Sequence, residues 1–115
     1  MGCRVKRGEV WTVAGGAAHA GKPRPAVIVQ DDRFDAHDSI IVCPLTTDAT
    51  SAPIFRLPVE PSATNGLQAP CRLMIDKLTA VPRTRLGKRL GSLAREEVKT
   101  LNRAMFVFLG LAEGA

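Results

Sequence analysis

The chain has 115 residues, 45% of them apolar, and carries 16 Lys and Arg against 11 Asp and Glu, a net charge of +5 at pH 7. This length predicts one domain over residues 1–115 with a core that needs neither disulfides nor a structural metal, and the charge favours an anionic partner such as nucleic acid. Cys3, Cys43 and Cys71 are widely spaced with no Cys-x-x-Cys, which argues against a disulfide framework or a zinc site; Cys43 and Cys71 read as core. No apolar run is long enough to span a bilayer and the N-terminus lacks the apolar stretch of a signal peptide, so a soluble cytoplasmic protein without membrane contact is expected. Tyr is absent and there are one Trp and four Phe, too few for a base-stacking aromatic platform.

Gly8 to Val13 alternates apolar with polar and predicts a first strand, followed by a Gly- and Ala-rich loop from Ala14 to Gly21. Next comes Lys22-Pro23-Arg24-Pro25, where two prolines restrict the backbone of the arginine between them just before the β-branched run Ala26 to Gln30. A guanidinium held this way presents a planar fork of donors that matches a phosphate; the plainer reading is a surface Arg in a turn. Further strands are predicted over Ser39 to Leu45 and Ile54 to Val59, and Pro58 places the latter at a sheet edge or a bulge. Asn65-Gly66 signals a tight turn, Cys71 to Leu78 a fifth strand, and Leu86 to Leu90 a sixth. Short strands at this spacing predict a small, strongly twisted antiparallel barrel. The period then changes: Leu93, Val98, Leu101, Met105, Phe108 and Leu109 form one helical stripe, expected to pack as core against the sheet, with a partner groove over Met105 to Leu109 as the other reading, and with Ser92 as the expected cap and Gly110 as the terminator.

Acidic residues and the separate His19 and His37 do not form a metal-ligating cluster, so neither a metal nor another cofactor is expected. Thr46 and Thr47 end the third strand, where a hydroxyl either faces a site or builds a turn with Asp48. Asp76 and Lys77 sit at the end of an apolar strand, where the acid is either a solvated edge residue or a site residue, and Arg72 lies four residues earlier on the same face as Asp76, so that the two could form a merely structural bridge. His19 has a side chain suited to proton transfer near neutrality, or is a solvated loop histidine. The basic run Arg83 to Arg89 reads either as a phosphate-tracking patch that includes Arg83 and Arg85 or as a solvated hairpin.

Taken together, Lys6-Arg7-Gly8-Glu9-Val10-Trp11, the Gly-rich loop, Arg24-Pro25-Ala26-Val27-Ile28-Val29, Pro44-Leu45-Thr46-Thr47, Met74-Ile75-Asp76-Lys77-Leu78 and the closing helix resemble the MazF/PemK toxin family over nearly the whole chain. The resemblance implies an α+β, mainly β fold, a small twisted antiparallel SH3-like barrel with a C-terminal amphipathic helix. It further implies a homodimeric, sequence-selective, metal-independent endoribonuclease of a type II toxin–antitoxin pair. In that case Arg24, Thr46, His19 and Asp76 are the catalytic candidates, and Lys22, Thr47, Arg72, Lys77, Arg83 and Arg85 the RNA-binding ones. The expected partners are single-stranded RNA and a cognate acidic antitoxin, with operator DNA reached only through that antitoxin.

The chain departs from the family pattern in two places. The first loop, Gly16 to Gly21, has no acid, and Met74 stands where the PemK branch has an arginine two residues before its acid, leaving that contribution to Arg72, to Lys77 or to neither. The competing readings are a CcdB-like gyrase-binding toxin without nuclease chemistry and an inactive binding member, since fold by itself does not separate them.

Overall fold

The computed structural model describes residues 4–15, 22–49 and 55–112. Within them, seven strands precede one helix: β1 (Glu9–Val13), β2 (Arg24–Ile28), β3 (Ser39–Thr46), β4 (Arg56–Val59), β5 (Cys71–Met74), β6 (Thr79–Pro82), β7 (Leu86–Ser92) and α1 (Arg95–Phe108). The pairings are antiparallel, in the order β4-β5-β3-β2-β1-β7, with β6 added to β3.

Alternation along β1 to β3 sorts the apolar side chains onto the two faces of this sheet. Val10, Val27, Cys43, Leu45, Leu73 and Ile75 form one core with Leu101 of α1. Trp11, Ala26, Ile28, Ile40 and Val42 point the other way and pack with Val81 and Leu86, as the twisted sheet curls β6 and β7 over them. Both Cys43 and Cys71 are buried, as their neighbours in the sequence lead one to expect; burial pushes the Cys43 thiol up to about 12.

The opening motif is structural. Gly8 adopts φ +91°, a conformation that favours glycine, donates to the Ile28 carbonyl at 2.8 Å and accepts from Leu93 at 2.9 Å. The Glu9 carboxylate accepts from the Lys6 amide at 2.9 Å, the Trp11 indole at 3.0 Å and the Arg89 guanidinium at 2.8 Å, tying β1 to β7.

Three expectations need correction. The segment from Cys71 to Leu78 is not one strand: β5 stops at Met74, a 3-10 turn covers Ile75–Lys77, and β6 continues along the same edge of β3. Ile75 is fully buried beneath α1, so the apolar run through Leu73, Met74 and Ile75 looks like a continuing strand in the sequence, although Asp76 and Lys77 after it are both exposed. Ser92 belongs to β7; the helix begins after Ala94, whose amide donates to the Glu97 carboxylate at 2.8 Å. Of the helical stripe, Leu101 is buried, whereas Phe108 and Leu109 are exposed at 43% and 55%. Gly110 does end α1: at φ +77° it donates to Val107 at 3.0 Å while Leu111 donates to Phe106 at 2.9 Å, a Schellman arrangement.

The barrel is not closed by strand pairing, because β4 and β7 are the two ends of the hydrogen-bonded path. As anticipated from Pro58, β4 is an edge strand. The connection after β4 lies against β7 instead: Ser92 donates to the Thr64 carbonyl at 2.8 Å. Fully buried Asn65 organises this connection, accepting from the Ser62 and Leu67 amides and donating to the Glu60 carbonyl at 2.8 Å. Gly66, at φ +70°, leaves no room for a side chain, since a Cβ there would lie 2.1 Å from the Leu90 carbonyl oxygen.

Gly66→Ala is therefore expected to destabilise the chain by about 2 to 4 kcal/mol in urea unfolding, through combined backbone strain and overpacking; an unchanged midpoint would show that the loop does not seat on β7. Cys43 is expected to resist iodoacetamide at pH 8 in the folded chain and to react once urea unfolds it, as read by peptide mapping.

Candidate active site

The site is built at strand ends. Arg24 opens β2 opposite Val13 of β1, and the register Ala26↔Pro44 of β2 with β3, continued by two residues, brings Arg24 opposite Thr46. Both share the side of the sheet that carries Ala26, Val42 and Pro44, and Arg24 is exposed. Across β3, Thr46 pairs with Arg72 of β5, and one strand further Arg56 of β4 pairs with Met74. Partners in an antiparallel ladder point to the same side, so Arg24, Thr46 and Arg72 form a row over three adjacent strands, about 4.8 Å apart per strand, and Arg56 lies on the same side one strand further, offset by two residues because the β4 partner of Arg72 is Pro58.

A cleft of about 240 Å³ opens beside Arg24, floored by Ala26, Val42, Pro44 and Val81, with Arg85 as a second guanidinium at its edge. The cleft offers an apolar floor edged by two exposed cations, a lining that suits a planar base attached to a phosphate. Thr46 Oγ1 accepts from the Asp48 amide at 3.1 Å, so the turn-forming role weighed from the sequence is real. Accepting this bond leaves the hydroxyl proton available for donation.

Asp76 lies on the 3-10 turn, not on a strand, and its partner is Arg56 rather than Arg72. The Arg56 guanidinium grips the carboxylate with both prongs, Nε to Oδ1 at 2.8 Å and Nη2 to Oδ2 at 3.0 Å. The hydrogen bonds from Arg56 hold the Asp76 carboxyl below the ordinary value of 3.8, which makes it a weak proton acceptor. Arg56 is the partner of Asp76 that the sequence reading missed. Its only signal was the arginine-shaped gap at Met74, filled here from a different strand.

The remaining candidates separate. Lys22, Thr47 and Lys77 are exposed beside the starts and ends of the elements that carry Arg24, Thr46 and Asp76. Arg83 is not brought to this group: its Nε donates to the His37 carbonyl at 2.9 Å and its amide to Asp38, at the opposite end of β3. Arg89 of the same basic run binds Glu9, so the run is divided among three places instead of forming one patch. His19 lies outside the described residues. Among the described residues, no group of three His, Cys, Asp or Glu side chains is placed to hold a metal, and no helix is long and apolar enough to cross a membrane.

Because the Asp76 carboxyl titrates below 3.8 in the folded chain, the stabilisation its ionised form provides is fully present above that value and disappears as pH falls through the lower folded one. The difference in urea midpoint between the native chain and Asp76→Asn is thus expected to stay constant between about pH 5 and pH 8 and to narrow below about pH 4. Narrowing already between pH 7 and pH 5 would mean that Arg56 does not hold the acid.

Residues 6–109 match the family model of PemK-like, MazF-like toxins of type II toxin–antitoxin systems. A probable endoribonuclease MazF of Mycolicibacterium smegmatis is 48% identical over 108 residues, 94% of this chain and 99% of the relative. Among solved structures, a mycobacterial endoribonuclease in complex with its cognate antitoxin superposes with a TM-score of 0.77 at 22% identity, covering 94% of this chain and 97% of the other. A MazE-MazF structure from Deinococcus radiodurans gives 0.76 at 16% identity, over 96% of this chain and 100% of the other, so these two establish the shared fold. With the arginine at the start of β2, the threonine at the end of β3 and a family match over nearly its whole length, the chain belongs to the PemK/MazF toxins of type II toxin–antitoxin systems.

Proposed function

We propose that this PemK/MazF endoribonuclease cuts single-stranded RNA at selected sequences, without a metal, by attack of a ribose 2′-hydroxyl on the adjacent phosphorus. The observation that carries this reading is the placement of Arg24 across from Thr46 at strand ends, beside a cleft edged by Arg85. As the 2′-oxygen bonds to phosphorus, negative charge accumulates on the non-bridging oxygens; Arg24 neutralises it and Thr46 donates to one of them or orients the 2′-hydroxyl. Positive charge at the site comes from guanidinium groups, and this is why the reaction needs no bound cation. The 2′-hydroxyl proton goes to a base, the bond to the 5′-oxygen breaks, and a proton reaches that oxygen. The products carry a 2′,3′-cyclic phosphate and a 5′-hydroxyl. With Asp76 gripped by Arg56, His19 is the proton acceptor we favour; Arg24 acts as clamp or proton donor, because a guanidinium is a poor base near neutrality. Lys22, Thr47, Arg72 and Lys77 would follow the RNA on either side of the cut.

The same reading includes a homodimer and an acidic antitoxin that blocks the arginine row by imitating the charge of RNA, with operator DNA reached through the antitoxin in the cytoplasm. The net charge of +5 and the exposed Phe106, Phe108, Leu109 and Leu111 support such partners.

The deciding experiment incubates the purified chain in EDTA with a long single-stranded RNA and its DNA counterpart. Cuts in RNA only, with 5′-hydroxyl ends, are expected, and Arg24→Ala should lower the rate about a hundredfold or more without changing the fold. No cutting across diverse RNAs would reject the reading and turn attention to gyrase inhibition, whereas equal cutting by Arg24→Ala would reject the role of Arg24.

A further inference from the structure

We infer that Arg56 is a positioning residue for RNA: it neutralises the Asp76 carboxylate and turns the 3-10 turn that carries it from a repulsive wall into part of the binding face. The inference rests on the endoribonuclease reading. Asp76 is the acid that the β5–β6 turn presents next to the arginine row. Left unpaired, its charge would repel a phosphodiester seated on Arg24 and Arg72. Arg56 reaches it from the edge strand β4, whose partner at that register is Met74, a residue with no charge to offer. In this chain the guanidinium that pairs with Asp76 thus comes from β4 and not from position 74.

The geometry favours a fixed pair over a transient surface contact. Both carboxylate oxygens are engaged, at 2.8 and 3.0 Å, and the side chains are only 15% and 24% exposed. The backbone of the turn is held independently, since the Ile75 amide donates to the Phe55 carbonyl at 2.9 Å, one residue before Arg56. The strand start that carries Arg56 and the turn that carries Asp76 are thereby joined twice. Other charges bear on the pair: Lys77 adds positive potential at Asp76, and Asp48, beyond the end of β3, adds negative potential at Arg56. Two of the five guanidinium donors are used on Asp76, so the pair is held through both prongs of the fork.

Proton acceptance by Asp76 and charge cancellation by Arg56 give opposite double-variant results. The experiment measures kcat and KM for single-stranded RNA cleavage by the full chain, Arg56→Ala, Asp76→Asn and Arg56→Ala/Asp76→Asn, with circular dichroism as the folding control. Arg56→Ala is expected to raise KM about tenfold with a much smaller change in kcat, and the double variant to recover most of that rise, because removing the orphaned carboxylate removes the repulsion. The pH–rate profile of Asp76→Asn is expected to keep its shape. A double variant as impaired as Arg56→Ala, or an Asp76→Asn variant that loses kcat about a hundredfold together with an acid limb, would overturn the inference. If Arg56→Ala does not fold, Arg56→Lys replaces it: retained positive charge should then preserve KM to within about threefold, and a tenfold rise would count against charge cancellation. Should the native chain cut no RNA, affinity for a 2′-O-methyl RNA decides separately, since weaker binding by Arg56→Ala that the second substitution restores supports the pair's role, and unchanged binding rejects it.

Discussion

The register of β3 is the constraint on which the rest depends. This eight-residue strand pairs with β2 along one edge and, on the other, first with β6 and then with β5. Its alternation commits Cys43 and Leu45 to the core beneath α1 and leaves Pro44 and Thr46 on the opposite side. A slip by one residue would move Thr46 to the wrong face and bury polar groups under the helix, at a cost far above what local turn preferences can offset. Thr46, Arg72 and Arg24 meet because the apolar residues between them have only one good arrangement.

The break between β5 and β6 follows from the same strand. Between the pairs Leu45↔Leu73 and Val42↔Thr79, residues 74–78 are accommodated opposite only two positions of β3, so the chain leaves the ladder as a 3-10 turn and returns. Ile75 anchors this turn in the core, while Asp76 and Lys77 are displayed beyond the sheet edge. A row of guanidinium groups without a counter-charge is electrostatically unfavourable in the free protein and favourable once an anion is bound. Arg56 is the member whose charge is already matched, by Asp76, so the unmatched positive charge lies toward Arg24, Arg72 and Arg85.

Stability and chemistry are assigned to different parts of the molecule. The Glu9 carboxylate joins Lys6, Trp11 and Arg89, and Asn65 seats the β4–β5 connection on β7 in place of a closing strand pair. Arg89 and Arg83 are used in holding the fold, although in the chain they belong to the same basic run as Arg85 at the cleft. Charge density in a sequence is thus a poor guide to a binding face when the run crosses from a 3-10 turn into a strand, because successive residues then face different surroundings.

By itself, the sequence determined the strand-rich fold, the closing helix, the edge position of Pro58, the glycine stop at Gly110 and the family to which the chain belongs. These depend on apolar periodicity, on backbone restrictions of Pro and Gly, and on local motifs, all of which act over a few residues. The position of Arg24 and Thr46 at strand ends was legible for the same reason. Only the tertiary structure decided the partner of Asp76, the split of the fifth strand and the start of α1 after Ala94. Arg56 and Asp76 are separated by 20 residues, and nothing local in either segment specifies the other. Their meeting is set by how β4 registers on β5 and by the insertion that β3 forces between β5 and β6, and long-range pairing of this kind is a property of the packed sheet rather than of any one stretch of chain.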